Sequence, residues 1–125
     1  MNNELTIPEA ALKDKKTLEI DVLGTKYSVA FANEKDEPKL TRVCGFCDTS
    51  VKKIVIDNNE KGDLLDKEDL SQERKKTLRH ELVHAFLSES GLDSCSDWAA
   101  NEEIVDWIAL QGPKLYKAWQ EAGAV

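Results

Sequence analysis

The sequence predicts an α+β domain, a small antiparallel sheet of three or four strands packed against two main helices. Two observations carry that prediction. Alternating apolar residues occupy the chain from Thr17 to Asp57, the period of half-buried strands, whereas from about Ser71 the apolar residues recur at helical spacing. Strands first and helices afterwards is the order of an α+β fold. With 125 residues, 41% hydrophobic and 33% charged, the chain reads as one domain with a single core.

Residues 1–16 mix Asn, Glu and Lys around PEAALK and read as a peripheral arm. TLEIDVL then sets Leu18, Ile20 and Val22 on one face. After a Leu23-Gly24-Thr25 turn, Tyr27, Val29 and Phe31 continue the alternation, so the pair reads as a hairpin. A polar loop to Pro38 precedes LTRVCGF, the third strand, and VKKIVID, the fourth, with a turn at Asp48-Thr49-Ser50 between them. The acidic stretch DNNEKGDLLDKEDLSQE reads as a solvated loop, with a gate over a cleft as its functional alternative.

The first helix spans about Ser71 to Ser90, with Leu78, Leu82, Ala85 and Phe86 on one face and Gly91 to stop it. The second runs from about Asp97 to Gln111 and ends at Gly112-Pro113, and Lys114 to Ala122 forms a short last helix. Trp98 and Trp107 read as core anchors of these helices.

Composition excludes several classes. No apolar run approaches the roughly 18–20 residues that span a bilayer, and MNNELTIPEA lacks the basic and apolar regions of a secretion signal. A net charge of −7 repels phosphate backbones, so a nucleic-acid partner is not expected. Cys44, Cys47 and Cys95 leave one cysteine over in any single disulfide, which suits a reducing compartment and a cytoplasmic location.

The chemistry concentrates in RHELVHAF. Its H-E-x-x-H lies within the first helix, so His80 and His84 stand one turn apart on one face, as two ligands of a tetrahedral Zn²⁺ must. Glu81 is turned about 100° around the helix, beside the metal rather than on it. There it can take a proton from a zinc-bound water and return it to a leaving amine. The chain's only two histidines both fall in this motif.

A catalytic zinc needs a third protein ligand and an open position. NEEIVDW on the second helix offers Glu102 as ligand and, four residues on, Asp106 as acceptor for a ring N–H of a zinc histidine. Glu103 points elsewhere. Glu89 and Asp93 read as surface and loop residues and are the competitors to Glu102, although Asp93 is too near in sequence to fold back easily. Cys95 is a further substitute for Glu102.

H-E-x-x-H followed by a helix bearing N-E-x-x-x-D resembles the gluzincins, in which His80, Glu81, His84, Glu102 and Asp106 each have a counterpart. I-V-I-D leading into T-L-R-H-E-L-V-H-A-F and then N-E-E-I-V-D-W-I-A is similar to the compact ImmA/IrrE-like metallopeptidases and related phage-borne proteins, over roughly residues 50–115. The resemblance implies a minimal zincin-like (minigluzincin) core and a zinc endopeptidase. It also implies a cytoplasmic protein or peptide substrate, of which a repressor is the family's example. Larger gluzincins stabilise the oxyanion with a histidine or tyrosine outside the motif, and no third histidine exists here. Tyr27, Tyr116, Arg79, a lysine or backbone N–H groups are the candidates.

An edge strand beside the helix can pair with an extended peptide, and VKKIVID is the candidate; an ordinary core strand with Ile54 and Ile56 inward is compatible with it. Two other functions stay open. One is a zinc-bearing binding or regulatory module without turnover. The other is a redox protein built on the C-x-x-C of Cys44 and Cys47, residues that also read as incidental or as metal contacts.

Overall fold

The computed structural model describes residues 17–58 and 70–125. The N-terminal arm and most of the acidic loop, with its proposed gate, lie outside the described residues. Among the described residues the fold is α+β, as the sequence predicts: a four-stranded sheet and two 20-residue helices.

Strands β1 (Leu18–Val22) and β2 (Thr25–Ala32) form the expected hairpin, with Val22 opposite Thr25. Its two-residue turn carries positive φ at both centres, 51° at Leu23 and 92° at Gly24. That is the type I′ geometry whose twist suits an antiparallel pair.

The remaining strands depart from expectation. β3 is only Gly45–Asp48, because Pro38 opens a single 3-10 turn over Pro38–Thr41 where a longer strand was expected. β4 (Lys53–Asp57) pairs antiparallel with β3 but parallel with β2, so the sheet is mixed, in the order β1-β2-β4-β3. Alternation fixes which face a side chain takes; it does not fix strand direction. The signal for an interior strand was the unbroken run Ile54-Val55-Ile56, all buried, since both sheet faces are covered there.

One face packs Tyr27, Val29, Phe31, Ile54 and Ile56 against Leu78, Leu82 and Ala85 of α1 (Leu70–Glu89). The fully buried Val29, Phe31, Ile54 and Ile56 contribute about 1.5–3 kcal/mol each on burial. The opposite face is covered by Leu40 of the 3-10 turn, against Ala32, Val55 and Phe46. Gly91, at φ 82°, closes α1 as predicted, and its N–H reaches the Ser88 carbonyl at 3.0 Å.

A 3-10 turn over Asp97–Ala100 precedes α2 (Glu102–Glu121). Asn101 caps α2, its side-chain oxygen accepting from Ile104 N at 3.1 Å. Gly112-Pro113 does not end the helix, and the predicted last helix is the second half of α2. Gly112 lacks the Cβ that would clash with the following ring. The carbonyl that Pro113 cannot serve, that of Ala109, accepts from Arg79 Nε at 2.6 Å.

Leu87, Ala99, Val105, Val83 and Leu92 join the helices in a third cluster. Trp98 and Trp107 are not core residues; they are 49% and 54% exposed. Val105 and Ala109 take the buried stripe of α2, and Trp107 falls outside it. No helix among the described residues is long and apolar enough to cross a membrane.

Candidate metal centre

The site is built where α1 crosses the first turns of α2. His80 and His84 are one turn apart on α1, with ring centroids 5.0 Å apart. Glu102 is the first residue of α2, where a carboxylate needs no backbone partner and is favoured by the helix dipole. Its oxygens lie 3.2 Å from His80 Nε2 and 2.7 Å from His84 Nε2.

Asp106, one turn further along α2, lies 3.3 Å from the other nitrogen of His80, Nδ1. That contact suits Nδ1–H, which leaves Nε2 with its lone pair toward Glu102 and His84. The structure thus brings His80, His84, Glu102 and Asp106 together as the spacing predicts.

The donor set is compatible with zinc. One atom from each of His80, His84 and Glu102 lies within 4.8 Å of the others. Tetrahedral ligands at the usual ~2.1 Å stand about 3.4 Å apart, so a small adjustment of side chains admits an ion. The site opens into a cleft of about 320 Å³ lined by Glu81, His84, Asp93 and Glu102, with Gly45, Phe46, Cys47 and Thr49 opposite.

Glu81 is 8% exposed, faces this cleft, and no hydrogen bond to another described residue engages its carboxylate. Burial raises its pKa; His80 opposes the shift and Glu102 adds to it. A largely buried carboxylate that opens onto the cleft is partly stripped of its hydration and is therefore a better base than an exposed one.

Several expectations are corrected. Asp93 lines the cleft, because the turn that starts at Gly91 folds Leu92–Ser94 back along α1. Glu89 is no free surface carboxylate: it accepts from the Tyr27 hydroxyl at 2.7 Å and from Lys52 Nζ at 2.8 Å. Cys95 is exposed, and its thiol is directed to the Gly91 carbonyl, away from the ligand set.

Cys44 and Cys47 are both free, one exposed and the other beside Glu81. Burial, then Glu81 and Asp48, push the Cys47 thiol up to about 12, the reverse of an activated redox cysteine.

The side-chain candidates for oxyanion stabiliser are occupied elsewhere. Tyr27 is fully buried on Glu89, and Arg79 is bonded to Ala109. Tyr116 lies with Phe86 and Pro113 in a separate apolar groove between the helices.

The strand beside the cleft is β3, not VKKIVID, which is interior. Asp57 N bonds to Cys44 O at 2.8 Å. By antiparallel alternation Phe46 and Asp48 then also bond to β4, and the N–H and C=O groups of Gly45 and Cys47 project from the free edge. No family model matches the chain, and neither a curated protein nor a solved structure does.

Proposed function

We propose that the protein is a zinc-dependent metallopeptidase that hydrolyses a peptide bond in a protein or peptide substrate. The observation that carries this reading is the convergence of two imidazoles and a carboxylate on one point, with the largely buried Glu81 beside them and bonded to no other described residue. A structural histidine pair needs only hydrogen-bond partners. It does not need a third, unpaired carboxylate at the mouth of the same cleft.

Zinc bound by His80, His84 and Glu102 would supply the Lewis acid that polarises a carbonyl and acidifies water. Glu81 accepts the proton of the attacking water and delivers it to the leaving amine, a role its buried position favours by keeping its basicity above that of an exposed carboxylate. Asp106 holds the His80 tautomer. Gly45 and Cys47 on β3 offer main-chain donors and acceptors to an extended peptide, and no lysine or arginine is among the described residues that line the cleft.

A second reading, a zinc-bearing binding module without turnover, is favoured by one observation: among the described residues that line the cleft there is no tyrosine, lysine or arginine to stabilise an oxyanion, and the hydroxyl there is that of Thr49. Glu81→Gln separates the two. Purified protein is expected to carry about one zinc per chain by elemental analysis and to cut members of a peptide library read by mass spectrometry. The variant keeps the zinc and loses the cleavage. Wild-type protein that takes up no zinc sinks both readings, and zinc-loaded wild type that cuts nothing leaves the binding module.

A further inference from the structure

We infer that Arg79 is a positioning residue for the metal-binding set, and that it acts through the backbone carbonyl of Ala109 that Pro113 leaves open. The inference rests on the zinc reading of the site, and its test includes an arm that does not.

In an α-helix the carbonyl of residue 109 accepts from the N–H of residue 113. Pro113 has no N–H, so that carbonyl requires another donor; Ala109 is 1% exposed, and water has little access to it. Arg79 Nε fills the place from α1, at 2.6 Å. A guanidinium donor makes this a charge-assisted bond, and its planar fork fixes direction as well as distance.

Its location gives the bond its consequence. Arg79 is the neighbour of His80, and Ala109 follows Asp106 by three residues. Along the crossing, residue 79 meets 109, residue 80 meets 106, and residues 80 and 84 meet 102. The four contacts run in antiparallel order, and the Arg79 bond is the one among them that does not involve a histidine. It locks the helices without drawing on the ligands. Rotating α2 by one residue turns its side chains by about 100° and takes both Glu102 and Asp106 off the histidines. Apolar packing of Val83, Leu87 and Val105 resists separation of the helices but is non-directional and tolerates such adjustment.

The plainer account is that Arg79 only satisfies a buried carbonyl. Pro113→Ala distinguishes the two, because it gives Ala109 a donor from within α2. Zinc affinity, measured by competition with a chromophoric chelator, is expected to fall about 10–100-fold in Arg79→Met, the size of effect seen when support behind a ligand is lost. In Arg79→Met/Pro113→Ala the melting temperature returns toward wild type while the affinity stays low.

In metal-free protein, NOEs between the His80 ring and the Asp106 side chain are expected in wild type and lost in both Arg79→Met proteins. Recovery of zinc affinity together with stability in the double variant overturns the inference. So does persistence of the NOEs in Arg79→Met. Wild-type protein that shows the NOEs and binds no zinc overturns the reading of the site, while the register arm still decides the role of Arg79.

Discussion

The Tyr27 hydroxyl donates to the Glu89 carboxylate at 2.7 Å, joining β2 to the last turn of α1 across 62 positions of sequence. Lys52, from the β3–β4 turn, donates to the same oxygen at 2.8 Å. These two hydrogen bonds, Lys52 first, hold the Glu89 carboxyl down at about 2.

A carboxyl whose pKa is lower folded than unfolded adds stability above its unfolded value, near 4.3, and loses it as pH falls toward the folded one. Wild type is therefore expected to be more stable than Glu89→Gln at neutral pH, with the gap closing between about pH 4.5 and 2. Urea unfolding at a series of pH values checks it; a gap independent of pH contradicts the assignment. Tyr27→Phe removes one charged hydrogen bond from a buried ring and should cost about 1–2 kcal/mol.

In the proposed site Asp106 supports His80 through Nδ1, 3.3 Å away, and does not bind the metal, so its loss should weaken the site without erasing it. Asp106→Ala is expected to bind zinc about 10–100-fold less tightly. Glu102→Ala removes a donor outright and is expected to lose stoichiometric binding. Chelator competition on both variants checks the order; equal losses would place Asp106 in the ligand set.

Gly45 of β3 is tightly enclosed by β4 and by Thr77 of α1. A Cβ there would stand 2.9 Å from Ile56 Cδ1 and Thr77 Cγ2, and 3.0 Å from the Val55 carbonyl oxygen. Gly45→Ala should destabilise the fold by about 1–3 kcal/mol through overpacking. Adding Thr77→Ser removes one of the opposing methyls and is expected to recover part of the loss in thermal melts. An unperturbed Gly45→Ala would show that β3 can move away freely.

The α+β class and the first hairpin were legible from strand alternation, and the main helices from their apolar positions, Leu78, Leu82 and Ala85 on the first and Val105 and Ala109 on the second. His80, His84, Glu102 and Asp106 were legible for the same reason: within a helix, spacing in sequence is position on a face. Strand β3 and its place at the edge were not, since four residues with a glycine and two cysteines offer little alternation.

The misread stop at Gly112-Pro113 has a different cause. Whether a proline ends a helix depends on whether the carbonyl four residues earlier finds another donor, and here that donor comes from Arg79, thirty positions away. Glu89 was misread likewise, and so was the reach of Asp93, which is an exposed turn residue as expected but does fold back to the cleft; loops and helix ends acquire their partners only through tertiary contact. Trp98 and Trp107 show the limit of using residue size as a sign of burial.

The parallel seam between β2 and β4 bears on how the chain reaches its native state. β1–β2 and β3–β4 are each local hairpins, and α1–α2 is a local pair of helices. The β2–β4 seam joins residues 25 apart in sequence, such as Ser28 and Lys53, and it is the strand pairing that unites the two hairpins among the described residues. Closing that loop brings entropy loss before contacts compensate, which makes the seam the natural late step and its buried Val29, Ile54, Phe31 and Ile56 the residues whose truncation should slow folding. Before it forms, β4 presents an apolar edge, Ile54-Val55-Ile56, to any extended chain nearby. The same strand that completes the core is thus the segment most exposed to aggregation during refolding.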